Sequence, residues 1–124
     1  MPAEGRHVAQ AEHNEELFGL LGQSSPAFID WQITALFYSV LHYVEAYLAT
    51  LGAVGTHLES HQQRSRYVAR DAFLRPYFID YQELKDRSED ARYRLIRFEA
   101  PFAEHLKETQ YVRVRDAVRR QLRI

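Results

Sequence analysis

Cysteine is absent from the 124 residues, which removes disulfides, thiolate metal sites and cysteine nucleophiles together. Glycine and proline are scarce, at five and four residues. The glycines are scattered, so no glycine-rich phosphate cradle is present. No serine stands in the glycine-flanked elbow that exposes a nucleophile. Long apolar runs are missing too: the uncharged run Trp31 to Leu41 falls far short of the ~20 residues that span a bilayer. The N-terminal stretch MPAEGRHVAQAEHNEE has acids and histidines where a secretion signal would carry an apolar core. These absences predict a cytoplasmic protein with no membrane association, and no cofactor is expected.

What is present suits one globular domain over residues 1–124, with nearly half the residues apolar and about a quarter charged. The net charge of −1 conceals a split. Residues 1–60 carry seven acids and one base, Arg6, whereas residues 61–124 carry ten acids and fifteen bases. Lys85 and Lys107 are the only lysines, so arginine supplies the other fourteen of the sixteen bases. Arginine forks suit phosphate and carboxylate. Opposite halves also attract each other, within one chain or across a dimer.

Hydrophobic periodicity predicts five helices and no strand of useful length. The first runs from about Ala3 to Leu21 and closes at Gly22, as a helix C-terminal glycine would. Ser24-Ser25-Pro26 reads as a cap followed by proline in the first turn of a long second helix, Pro26 to Leu51, stopped by Gly52 and Gly55. That helix has one apolar stripe (Ile29, Ile33, Leu36, Val40, Val44, Leu48, Leu51) and a second stripe of Trp31, Ala35, Tyr38, His42, Glu45 and Ala49. Two covered faces predict burial between neighbours, in this protomer or a partner. A third helix is expected over Leu58 to Phe73, ended by Pro76. A fourth starts near Pro76 and carries Phe78, Tyr81, Leu84, Ser88, Ala91, Leu95, Phe98 and Phe102 at helical spacing. Pro101 kinks or restarts the chain before a last helix, Phe102 to Leu122, with Leu106, Val114 and Val118 inward. Short loops make sequential helices neighbours, so the expected fold is all-α, an antiparallel bundle of four to five helices.

Three His-x-x-Glu pairs share helix faces: His13/Glu16, His42/Glu45 and His105/Glu108. Bundles do hold metals on such side chains, but the di-iron pattern places Glu before His and adds two inward glutamates. His57 and His61 stand at i, i+4, a chelating spacing without a recognisable third ligand. No metal site is predicted. The arginines of the last three helices, interleaved with Tyr67, Tyr77, Tyr93 and Tyr111, form the better lead. Arginine on phosphate with aromatics on bases is how single-stranded nucleic acid is held. Asp86, Glu89 and Asp90 beside Arg87 and Arg92 offer the plainer reading of intrahelical ion pairs.

The segment DWQITALFYSVLHYVEAYLATLG, Asp30 to Gly52, resembles the second helix of HEPN-domain proteins, small helical bundles of prokaryotic genomes. The loop ending in His57, the following arginines from Arg64 on, and YQELKDRSEDARY, Tyr81 to Tyr93, are also similar to that family. The resemblance covers roughly residues 10–120. It implies a HEPN-like homodimer joined through the second and fourth helices. Its cleft would be lined by Tyr38, His42, Arg87, Arg92 and Tyr93, with His57 and Arg64 in the same RNA- or nucleotide-binding set. It also implies a toxin–antitoxin or defence system with a protein partner encoded nearby. In the family's catalytic branch, Arg followed by His after four to six intervening residues forms a metal-independent RNase site. Here Arg87 takes the arginine's place, but Arg92 and Tyr93 fill the histidine's, and the one spacing match, Arg6 to His13, lies in the first helix. Without that imidazole no group of suitable pKa is at hand. The implied module is therefore catalytically degenerate. A dimeric interaction protein without affinity for nucleic acid is the main alternative. An RNase using His42 and a metal enzyme on the His–Glu pairs are the others.

Overall fold

A computed structural model of the chain describes residues 3–24, 28–52 and 60–124. It is an all-α bundle, and no strand occurs among the described residues. The helices are α1 (Ala3–Ser24), α2 (Ile29–Ala49), α3 (His61–Arg70), α4 (Phe78–Tyr93), α5 (Ala100–Leu106) and α6 (Val112–Leu122). A π-helical turn, Lys107–Tyr111, fuses α5 and α6 into one rod, which gives five helical rods among the described residues.

The core forms around α2, against which α1, α4 and α6 pack. Its first apolar stripe is buried as far as Leu48, with Ile33, Leu36, Val40, Val44 and Leu48 fully enclosed, while Leu51 lies beyond the helix end and is exposed. Phe18, Leu84, Leu106, Val114 and Val118 close over it from the other helices. Truncating any of the larger ones to alanine would cost about 2–5 kcal/mol, because rigid neighbours leave a cavity. Polar groups in this core find partners. Ser39 donates to the Ala11 carbonyl at 2.7 Å, and Tyr111 donates to Glu15 at 2.5 Å.

Several boundaries differ from those the sequence predicts. Gly22 does not end α1, which continues to Ser24. A Cβ at Gly22 would come 2.6 Å from the amide of buried Gln32, which donates to the Phe18 carbonyl at 3.0 Å. Glycine leaves room there for that amide and does not serve as a left-handed cap. Gly52 does take a positive φ of 72° just beyond α2. Ser25, Pro26 and Gly55 lie outside the described residues.

α3 starts at His61 because the Ser60 hydroxyl accepts the Gln63 N–H at 3.1 Å. It stops at Asp71, ahead of Pro76. The Asp71 carboxylate accepts the N–H groups of Phe73 and Leu74, each at 3.0 Å, together with the Tyr47 hydroxyl. Burial and then this carboxylate push the Tyr47 pKa up to about 12. Pro76 sits in a short 3₁₀ turn, Arg75–Tyr77, that leads into α4.

The predicted continuation of α4 through Leu95 and Phe98 fails. Leu95 has a φ of 55° and is 83% exposed, while the Ile96 N–H returns to the Asp90 carbonyl. The helical spacing of residues 95–102 is thus not continuous helix. Pro101 opens α5 in its first turn, where its missing N–H costs nothing.

Candidate functional site

The second stripe of α2 does not become a fully covered face. Trp31, Ala35, Tyr38 and His42 form the floor of a groove, with Gln10, Asn14, Leu17 and Leu21 of α1 on one wall. Arg92 of α4 stands on the other side. The cavity measures about 540 Å³ and its lining is mostly apolar, within the range of small-ligand sites. Trp31 is 54% exposed and Leu17 40%.

Arg92 is the charged group of this groove. Its Nη1 donates to the Tyr38 hydroxyl at 3.2 Å and to the Tyr93 hydroxyl at 3.3 Å. Nε donates to the Ser88 carbonyl and Nη2 to the Ser88 hydroxyl. The guanidinium carbon lies 5.4 Å from the Tyr38 ring centre and 4.7 Å from that of Tyr93, within cation–π range. Among the described residues no carboxylate pairs with Arg92. The side chain is fixed in place while its charge stays unneutralised.

Behind Tyr38 the polar row continues. The His61 ring lies 6.1 Å from that of Tyr38, and its Nδ1 is 3.3 Å from Nη1 of Arg64. Arg64 is buried and paired with Glu45 through Nε. Burial, reinforced by Arg64, Lys85 and Arg92, holds the His61 pKa below its ordinary value of 6.5. His42 is half-buried, with its Nδ1 3.0 Å from Nδ1 of His7. Burial first and His7 second hold it below 6.5 as well, against an opposing pull from Glu45.

Of the residues singled out in the sequence, Tyr38, His42, Arg92 and Tyr93 come together. Arg64 lies outside the groove's lining, beside His61 and close enough to act on His42. Arg87 is not among the groove's lining residues; it pairs with Asp90 at 3.3 Å and Glu83 at 3.6 Å. Five residues along a helix turn the side chain by roughly 140° from Arg92, which is why the two arginines cannot line one cleft. His57 lies outside the described residues. Sequence reasoning missed the α1 wall, although Gln10, Asn14, Leu17 and Leu21 recur at i, i+4, i+7 and i+11. Nothing in the sequence pointed to His7.

Several of the other arginines pair with acids. Arg115 meets Glu15 at 3.0 Å, Arg113 meets Asp80 at 2.7 Å, and Arg94 meets Asp90 at 2.5 Å. His13, Glu16, His105 and Glu108 are exposed. No group of three or more histidine, aspartate or glutamate side chains among the described residues is arranged to hold a metal ion. No helix among the described residues is long and apolar enough to cross a membrane. The chain matches no protein-family model, no curated protein and no solved structure.

Proposed function

We propose that the groove binds a nucleotide or a short stretch of single-stranded RNA. Arg92 would hold a phosphate, and the exposed faces of Trp31 and Tyr93 would offer stacking surfaces for bases. One observation carries this reading: Arg92 is held by two tyrosines and Ser88, with no carboxylate to neutralise it. Arg64, Arg94, Arg113 and Arg115 each have an acid beside them, whereas Arg92 stands beside the groove. In this reading the protein is a HEPN-like module of a toxin–antitoxin or defence system. It is catalytically degenerate, since Arg92 and Tyr93 stand where the family's motif histidine would be.

The reading is tested by titrating a short single-stranded RNA against the wild-type chain, Arg92→Ala and Arg115→Ala at several salt concentrations. Arg92→Ala should weaken binding about tenfold or more, and Arg115→Ala should leave it unchanged. A single phosphate contact gives a shallow salt dependence, with a slope near −0.7 on logarithmic axes. Equal binding by all three proteins, or none, overturns it.

A second reading has its own support. Exposed Leu17 and Trp31 beside an apolar groove suit a protein surface, either a second copy in a homodimer or a partner encoded nearby. Sedimentation of the wild-type chain and of Trp31→Ser separates the two: an assembly lost in the variant, with no RNA binding by either, selects this second reading.

A further inference from the structure

His7 and His42 meet head-on. Their Nδ1 atoms are 3.0 Å apart, their ring centres 5.3 Å, and their planes differ by 27°. Each Nδ1 lies roughly 1.1 Å from its own ring centre, so both nitrogens sit close to the line joining the two centres. That is the approach of an N–H···N hydrogen bond. A metal shared by two histidines needs lone pairs converging on a third point at about 2.0–2.1 Å, and the midpoint of this contact is nearer than that to both.

The contact constrains the protons. One Nδ1 must carry hydrogen and the other a lone pair. A neutral pair meets this condition, and so does a pair with one extra proton, because the cationic ring donates to the neutral one. Two extra protons leave both nitrogens as donors, with two positive charges facing each other. The surroundings do not relieve that state. Glu45 is the carboxylate acting on His42, and Arg64 of α3 already engages it. Arg64 also acts on His42 directly, and Arg92 of α4 lines the same groove.

Little else ties down the start of α1. None of residues 3–10 is fully buried; Val8 packs partly on the core, and Ala11 and Phe18 are the first enclosed side chains. We propose that the His7–His42 contact is a proton-counting latch: it docks the N-terminal turns of α1 on α2 while the pair holds at most one extra proton, and releases them when it holds two. The latch rests on this contact alone and holds whatever the groove binds.

Amide hydrogen exchange on the full chain tests it, as protection factors for residues 7–11 at about pH 7.5 and about pH 5. Residues 114–118 of α6 serve as the internal reference for a folded core. In the wild-type chain, protection of residues 7–11 should fall about tenfold at the lower pH, the scale of one lost hydrogen bond. His7→Gln presents a carbonyl that accepts from His42 in either charge state, so protection should persist at both pH values. His7→Ala removes one partner of the contact, so protection should be low at both. Wild-type protection that ignores pH overturns the latch, as does His7→Gln losing protection like the wild type. So does His7→Ala matching the wild type at the higher pH.

Discussion

Two of the arginine-bearing clefts of this bundle are of similar size, and they treat their charges in opposite ways. In the cleft between α1 and α6, about 410 Å³, Arg115 and Arg119 face Glu12, Glu15, Glu16 and Asp116. Arg115 bonds Glu15 and Asp116, and Glu15 also accepts the buried Tyr111 hydroxyl. Burial pushes the Glu15 pKa up, but the bonds from Tyr111 and Arg115 outweigh it and hold the carboxyl below its ordinary value. In the groove between α1, α2 and α4, Arg92 has tyrosines and a serine in place of acids. The first cleft uses its cations to join the acidic half of the chain to the basic half. The second leaves one cation over. Counting arginines does not distinguish the two; their partners do.

The contrast can be pressed hardest where compensation is deepest. Glu45→Ala would leave buried Arg64 with an unpaired charge and should cost about 3 kcal/mol in a urea titration. Glu15→Ala should cost about 2 kcal/mol in the same measurement, since it removes two charge-assisted hydrogen bonds, from Tyr111 and from Arg115, although Ser39 and Asp116 remain as their partners. Arg92→Ala should behave in the reverse manner, changing stability by less than about 1 kcal/mol while binding falls about tenfold. If Arg92→Ala destabilises as much as Glu15→Ala, the groove arginine is structural and the contrast collapses.

The smallest effect is on pH dependence. The folded-state pKa values of His42 and His61 lie below 6.5, so the unfolded chain binds more protons than the folded one just below that pH. The stability they contribute is present above about pH 6.5 and is lost as pH falls below it. Glu15 acts in a lower window: its stabilisation is present above its ordinary value of 4.5 and fades as pH drops through the depressed one. Thermal melts of wild type and His42→Gln across this range should show a shallower decline between about pH 6.5 and 5 in the variant.

The all-helical bundle was legible in the sequence because the apolar stripe of α2 repeats without a break from Ile29 to Leu48. Helix ends were less so. Leu95 and Phe98 keep helical spacing, yet the Asp90 carbonyl receives the Ile96 N–H and Leu95 turns left-handed. Periodicity cannot register such a reversal. The site was half visible: Tyr38 and His42 share a stripe, and Arg92 and Tyr93 are neighbours in sequence. Grouping Arg87 with Arg92 ignored the rotation of the helix between them. The His7–His42 contact joins residues 35 apart on different helices, and no local pattern encodes it.

The π-helical turn at Lys107–Tyr111 sets the phase of everything after it. It accommodates one residue more than a regular helix would over the same rise, and each residue turns a helix by about 100°. Deleting a single residue from Lys107 to Gln110 would let the rod run as unbroken α-helix with α6 still in phase, whereas straightening the turn with all its residues kept would swing α6 through that angle. Val114 and Val118, now enclosed, would be carried toward solvent, and Arg115 away from Glu15. The two halves of the rod are thus locked in step by one local irregularity, and losing that turn without losing a residue would unseat the core.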